Sequence, residues 1–279
     1  MAVMVACALL LLTGLAAGIR WGGRPFTPPE PVADLTVAEA ARRYVWYAAI
    51  ALVAGMSAGI LVVGAGGRLV MRLLAVTAGP DAQGLVTEAE EVVGRVSVDG
   101  TIGFVLFNGM FFGIPAAVLF LVVRRFLPAG RVGGVVFGAG LLVVFGTTLD
   151  PLRRDNPDFD IVGPGWVAVL AFGAVAIVFG LAVEGTTCRL SSWLPLLTSS
   201  LRDLVHYGVA VPPAFVALPV TLALLLVGAV TVLATRWRAL VAVVRSHGWV
   251  VAGRVLTVGV VVAAGLTGAI AGVVDIAAR

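Results

Sequence analysis

Hydrophobic positions in this chain fall in blocks, not stripes. Seven runs of roughly 18 to 25 residues are almost wholly apolar, and the polar residues collect between them. The run from Ile102 to Val123 holds one amide (Asn108), one proline (Pro115) and no charge. About 20 such residues in a helix rise about 30 Å, the thickness of a hydrocarbon layer, whereas a soluble core would cut them into shorter amphipathic pieces. The pattern predicts an all-α polytopic transmembrane helix bundle, a single integral-membrane domain over residues 1–279. Its seven spans are expected at about 1–18, 44–66, 102–123, 132–149, 166–184, 213–235 and 250–273.

The segments between the blocks add detail. Thr36-Val-Ala-Glu39 reads as a capping box opening a helix that runs into the second span, with Tyr44, Trp46 and Tyr47 at headgroup level. Residues 25–34 carry four prolines and predict an extended linker. Leu197, Leu201, Leu204 and Val205 fall at helical spacing, with Ser199, Arg202, Asp203 and His206 elsewhere. That spacing predicts an interfacial amphipathic helix at about 193–207, lying against the bundle rim. Pro115 and Pro219 should each bend a span. Gly55/Gly59, Gly109/Gly113, Gly134/Gly138 and Gly268/Gly272 are each four apart on predicted spans. Paired small residues let helices approach in lipid, inside the bundle or, on the sharper reading, at a homo-oligomer face. The first run lacks a basic start, which favours a retained helix over a signal peptide cleaved after Ala16-Ala-Gly18.

Composition narrows the function classes. Hydrophobic residues make up 60% and charged residues 12%, which suits a bundle without a separate extramembrane domain. The net charge of +4 is spread as arginines over nearly every loop, so nucleic acid is not an expected partner. All 19 basic residues are arginine. Without lysine there is no Schiff-base chemistry and no phosphate-binding loop of the nucleotide-hydrolase kind. Cys7 in the first run and Cys188, expected in a loop, do not suggest a disulfide. The arginines split 10 to 9 between the two sides, so the positive-inside rule leaves orientation open, and only the short Arg124–Arg131 connection favours the N-terminus outside.

Candidate chemistry is sparse. Thr87-Glu-Ala-Glu90 predicts a second capping box and a short helix over Glu88–Val93 closed by Gly94, with Glu88 and Glu91 on one face. Asp99-Gly100 predicts a tight turn leading into the third span. Arg68 and Arg72, at the end of the second span, lie on the same side and can neutralise those carboxylates. A second acidic loop carries Asp155, Asp158 and Asp160 and lies on that side by parity of crossings. Together Arg68, Arg72, Glu88, Glu90, Glu91, Arg95, Asp155, Asp158 and Asp160 form a candidate partner-binding or salt-bridge surface, with solvated turns as the alternative. Asn108, with Thr147 and Thr148 as candidate partners, and Arg254 form a candidate intramembrane polar site. Gly55-Met-Ser57-Ala-Gly59 matches the nucleophile-elbow pattern, but Ser57 falls mid-span and no span contains a histidine base. No carboxylate is expected near mid-membrane, which argues against an ion-driven transporter. No nucleophile–base pair, metal-ligand set or cofactor motif is found, so an enzyme is not expected.

Gly67-Arg-Leu-Val-Met-Arg-Leu-Leu-Ala-Val-Thr, Thr87-Glu-Ala-Glu-Glu-Val-Val-Gly-Arg and Asp99-Gly-Thr-Ile-Gly-Phe-Val-Leu-Phe resemble stretches of uncharacterised multi-pass membrane proteins from GC-rich Gram-positive bacteria. The resemblance covers residues 67–128, with a looser echo at Asn156-Pro-Asp-Phe-Asp-Ile-Val-Gly-Pro. It implies a bacterial plasma (inner) membrane location and carries over no functional residue. The sequence therefore points to a non-catalytic membrane scaffold or partner-binding subunit. Its partners would be the lipid bilayer and either another membrane protein or a second copy. The alternative is a small-molecule or lipid transporter with a pathway near Asn108 and Arg254.

Overall fold

The structure, a computed structural model, describes residues 1–30, 36–146, 148–149, 151–153, 155–198, 200–234 and 270–278, with 252, 255, 256, 259 and 263. Every named element among them is helical. Helix α1 is Ala2–Trp21 and α2 is Val37–Ala58, which passes through a π-turn at Gly59–Gly64 into α3, Ala65–Thr77. Next come α4 (Val98–Val123), α5 (Arg131–Leu141) with a π-turn at Leu142–Gly146, and α6 (Gly165–Trp193). They are followed by α7 (Leu201–Tyr207), α8 (Val211–Val216), α9 (Leu218–Ala234) and α10 (Ile270–Ala278).

Among the described residues four helices are long and apolar enough to cross a membrane: Ala2–Trp21, Val37–Thr77, Val98–Phe126 and Gly165–Trp193. The chain is a multi-pass membrane protein with four to five candidate spans among the described residues, which do not confirm seven. The apolar helix Arg131–Gly146 stops short. At 1.5 Å per residue it reaches about 24 Å, less than the hydrocarbon layer, so the described residues do not confirm a full span at 132–149. The expected span at 213–235 is broken at Ala217, where α9 turns by 115° from the α7–α8 segment; the two together make a fifth crossing if counted as one. Pro219 sits in the first turn of α9 and does not bend a continuous span. The span expected at 250–273, with Arg254 and Gly268, lies largely outside the described residues.

Two other boundaries differ. Helix α6 continues past Glu184 to Trp193, which puts Cys188 inside a helix and reduces the interfacial helix from 193–207 to Leu201–Tyr207. Leu201 is 80% exposed and Val205 77%, so the apolar stripe of α7 faces outward, as lipid contact requires, and not onto the bundle rim. Helix α4 begins at Val98, with the Ser97 hydroxyl accepting the Gly100 N–H at 3.2 Å; Asp99-Gly100 is helix, not turn. The Thr36 capping box is formed as expected. The Thr36 hydroxyl accepts from Glu39 N (3.2 Å), and the Glu39 carboxylate accepts from Thr36 N (2.9 Å).

Packing follows the small residues. Gly55 and Gly59 of the α2 helix meet Gly113 and Gly109 of α4 so closely that a Cβ at Gly109 would lie 2.7 Å from the Ile60 Cα. Gly134 and Gly138 of α5 lie against Gly180 of α6, and Gly18 of α1 lies against Leu181 and Ala182. These pairs are internal seams, which is how helices gain contact when lipid is as apolar as their side chains. Ala58, Val62, Ala117, Phe120, Phe137, Phe179 and Val183 fill the centre where α2, α4, α5 and α6 meet.

Candidate functional site

Helices α4 and α5 touch near their connection and part towards the opposite end. Phe120 and Phe137 meet edge to face, 5.1 Å between centroids, close to the Arg124–Gly130 link. Beyond them, Pro115, Phe112 and Asn108 of α4 and Leu142 and Phe145 of the α5 π-turn border a cavity of about 1070 Å³. Phe172 and Phe179 of α6 form part of its wall, and Val63 of the other π-turn lines it too. Single π-turns relieve a helix of one ladder bond and often accompany functional sites. The walls are largely aromatic and aliphatic. The mouth is charged: Arg68 and Arg72 of α3 with Glu88, Arg153 and Asp158 of the two loops.

The loops do meet, through Arg153. Its Nη2 donates to the Glu88 carboxylate at 2.6 and 2.8 Å, and its Nε lies 3.0 Å from Asp155 Oδ1. The Glu88 backbone N–H donates to Asp158 Oδ1 at 2.7 Å. Asn156 accepts from the Asp158 N–H at 2.8 Å, and Thr77 donates to the Gly163 carbonyl at 2.6 Å, which ties the second loop to the end of α3.

The first loop is not a helix. Val86 and Val92 form an antiparallel bridge, Thr87 N donates to Glu91 O (2.9 Å), and Val93 N donates to Leu85 O (2.9 Å). The three residues between, Glu88, Ala89 and Glu90, close a hairpin with Glu90 left-handed at φ 60°. This is the three-residue hairpin geometry that normally takes glycine at the last position. A six-residue helix would have to offset the cost of its own nucleus, whereas flanking valines favour pairing, so the hairpin wins. The Thr87 hydroxyl still caps, but it accepts the Glu91 N–H of the hairpin at 3.2 Å.

Several expected partnerships are absent. Arg68 Nε donates to Thr101 Oγ1 (3.2 Å) with its guanidinium 5.8 Å from the Phe104 ring centre, and Arg72 Nη1 donates to the Gly94 carbonyl (3.1 Å). Neither pairs with a carboxylate among the described residues; Arg153 does that. Glu90, Glu91 and Arg95 form no ion pair among the described residues. Asp160 closes the short turn Pro157–Asp160. Asn108 donates to its own helix at Phe104 O (3.3 Å), and Thr148 donates to Val144 O (2.7 Å), so they do not bond each other. Thr147 and Arg254 lie outside the described residues. Among the described residues no group of three metal-ligating side chains assembles.

One polar residue escaped the sequence reading. Glu184 is 3% exposed, although the apolar pattern ends a span there. Its Oε1 accepts the Gly23 N–H (3.3 Å) and the Cys188 thiol (3.7 Å), while Oε2 has no hydrogen-bond partner among the described residues. The linker after α1 covers this end. Thr27 N donates to Ser191 Oγ at 3.0 Å, and Phe26 lies edge-on to Trp46 (5.7 Å) under the Arg124 guanidinium (3.6 Å). The signal was the i, i+4 pair Glu184/Cys188, visible only if the helix is allowed to run on.

An all-helical, multi-pass membrane protein with a half-open amphipathic cavity is the class these features define. No family model matches the chain, and no curated protein or solved structure is significantly similar to it.

Proposed function

We propose that the protein binds an amphipathic small molecule or lipid in the cavity beside Asn108, as a non-catalytic carrier or transporter in a bacterial plasma membrane. The observation that carries the reading is one chamber of about 1070 Å³ that joins a charged mouth to an aromatic interior. Small-molecule sites are mostly apolar hollows of about 300–1,000 Å³ with a few placed polar groups, and this one has that make-up at the top of the size range. The membrane location draws support from the apolar helices, and the bacterial one only from the resemblance of residues 67–128. The inward-facing glycine pairs favour internal packing over an oligomer face.

A second reading, a partner-binding scaffold, draws on the exposed acidic rim at Glu90, Glu91 and Asp155 beside the Glu88–Arg153 pair. Cysteine labelling separates the two. With Cys7 and Cys188 replaced by alanine, an Asn108→Cys variant should react with a membrane-impermeant maleimide far faster than an Ala58→Cys variant, whose site is fully buried. Protection of position 108 equal to that of position 58 would remove the cavity reading and leave the acidic rim as the recognition surface.

A further inference from the structure

We propose that Arg68 and Arg72 hold the phosphate of an anionic glycerophospholipid whose acyl chains occupy the aromatic part of the cavity, an inference that rests on the amphiphile-binding reading above. The two arginines are one turn apart on α3, half-buried, and both line the chamber. Their partners are neutral: the Thr101 hydroxyl, the Gly94 carbonyl and the face of Phe104. No carboxylate lies within 4.0 Å of either among the described residues. Of the acids that line the same mouth, Glu88 pairs with Arg153, Asp158 accepts the Glu88 N–H, and Glu91 pairs with neither arginine among the described residues. Two partly desolvated cations without a counter-charge are costly, and an anion removes that cost. Guanidinium forks match the paired free oxygens of a phosphodiester better than a point charge does, and such charge-assisted bonds are the strong ones.

The surroundings select a lipid over a soluble anion. Immediately below the arginines the lining turns to Phe104, Phe111, Phe112 and Phe145, which offer nothing to a hydrated ion. Arg68 sits beside Thr101 in the first turn of α4, beyond the apolar blocks of both helices, the level at which long arginine stems reach headgroups. The chamber then runs towards the bilayer interior between α4 and α5, where chains belong. Phe107 and Phe111 stand exposed on the outer flank of α4, beside the opening through which chains would enter sideways.

The test uses the full chain in mild detergent, mixed with phosphatidylglycerol, phosphatidylcholine or diacylglycerol. Lipid retained after gel filtration is quantified by mass spectrometry, with and without millimolar inorganic phosphate. Phosphatidylglycerol should be retained about tenfold over the other two, and the Arg68→Gln/Arg72→Gln double variant should abolish that preference. Arg68→Lys/Arg72→Lys should keep part of it, and Arg42→Gln, at the other end of the α2–α3 helix, should keep it all. Should the glutamine variant fail to fold, Asn108→Trp narrows the chain chamber while sparing both arginines, and it should lower retention of all three lipids. Equal retention of the three lipids, unmoved by the arginine variants, would overturn the headgroup assignment and leave the cavity reading intact. Retention of none would overturn both. Binding of inorganic phosphate without lipid preference would mark a soluble-anion site and overturn the lipid.

Discussion

The two ends of the bundle treat their polar groups in opposite ways. At one end the linker after α1 folds over α6. Glu184, Ser191 and Trp46 are wrapped by Gly23, Thr27 and Leu194, and Phe26 lies beneath Arg124. At the other end α4 and α5 stand apart, and Arg68 and Arg72 lean on a hydroxyl and a carbonyl at the edge of an open chamber. The difference comes from what lies between neighbouring helices. Paired small residues close the distance and leave room only for contacts internal to the fold, while at the open end Phe112 of α4 and Phe145 of the α5 π-turn line a gap. Burial of a polar residue is therefore not enough to mark a site. Glu184 is the more buried, yet its surroundings are occupied by the chain itself.

The largest effect should come from breaking the seam that holds α4 to α2, since both ends depend on where α4 runs. Gly59 lies against the Gly109 carbonyl with no space for a side chain. Gly59→Leu should cost on the order of 3 kcal/mol, the upper range for overpacking, and lower the melting temperature in detergent or abolish the folded form. Phe112→Leu, on the cavity side of the same helix, should be far milder. Equal losses from the two would mean that α4 has no sealed and open sides.

Next in size is the closed end. Glu184→Ala removes the acceptor of the Gly23 N–H and leaves a void beside Gly134. The lost packing around the buried carboxylate and the part-buried donor left unpaired should together destabilise by about 2 kcal/mol, whereas Glu184→Gln, which keeps an acceptor, should cost much less. Chemical unfolding in mixed micelles reads both. A neutral Glu184→Ala would show that the linker does not seal this end, and the contrast with the open end would shrink accordingly.

Sequence and structure part company where a signal is shared by two geometries. The Thr36–Glu39 box admits one physical outcome and is found, and the pairs Gly55/Gly59, Gly109/Gly113 and Gly134/Gly138 are found in internal seams. Hydropathy falls away after Glu184, but α6 does not end there, because Thr186 and Thr187 bond carbonyls of their own helix and Ser191 meets the linker. Nothing in a one-dimensional profile shows that those groups are satisfied internally. Pro219 is compatible with a bend or with the start of a helix, and the turn at Ala217 makes it the second. Parity of crossings puts the acidic loops on one side, but which arginine reaches them depends on side-chain length and direction. Arg153, on the second loop itself, reaches Glu88, and so Arg68 and Arg72 are left to the cavity.

Thr87-Glu-Ala-Glu90 is the sharpest case, since the same four residues fit a capping box and a hairpin, and it also yields the smallest of these effects. In the hairpin Glu90 holds φ at 60°, a conformation that costs a side-chain-bearing residue about 1–2 kcal/mol and glycine nothing comparable. A helix would instead lose about 1 kcal/mol on taking a glycine. The sign of Glu90→Gly therefore separates the two geometries. We expect a gain of about 1 kcal/mol, less the extra freedom glycine has in the unfolded chain, seen as a small rise in melting temperature. Because Glu90 makes no ion pair among the described residues, little electrostatic change should obscure it. Lipid retention should not move, because the arginines and the aromatic walls are untouched. A fall in stability would restore the helix and redraw the mouth of the open end, since Glu88 would no longer be held against Arg153 by the turn.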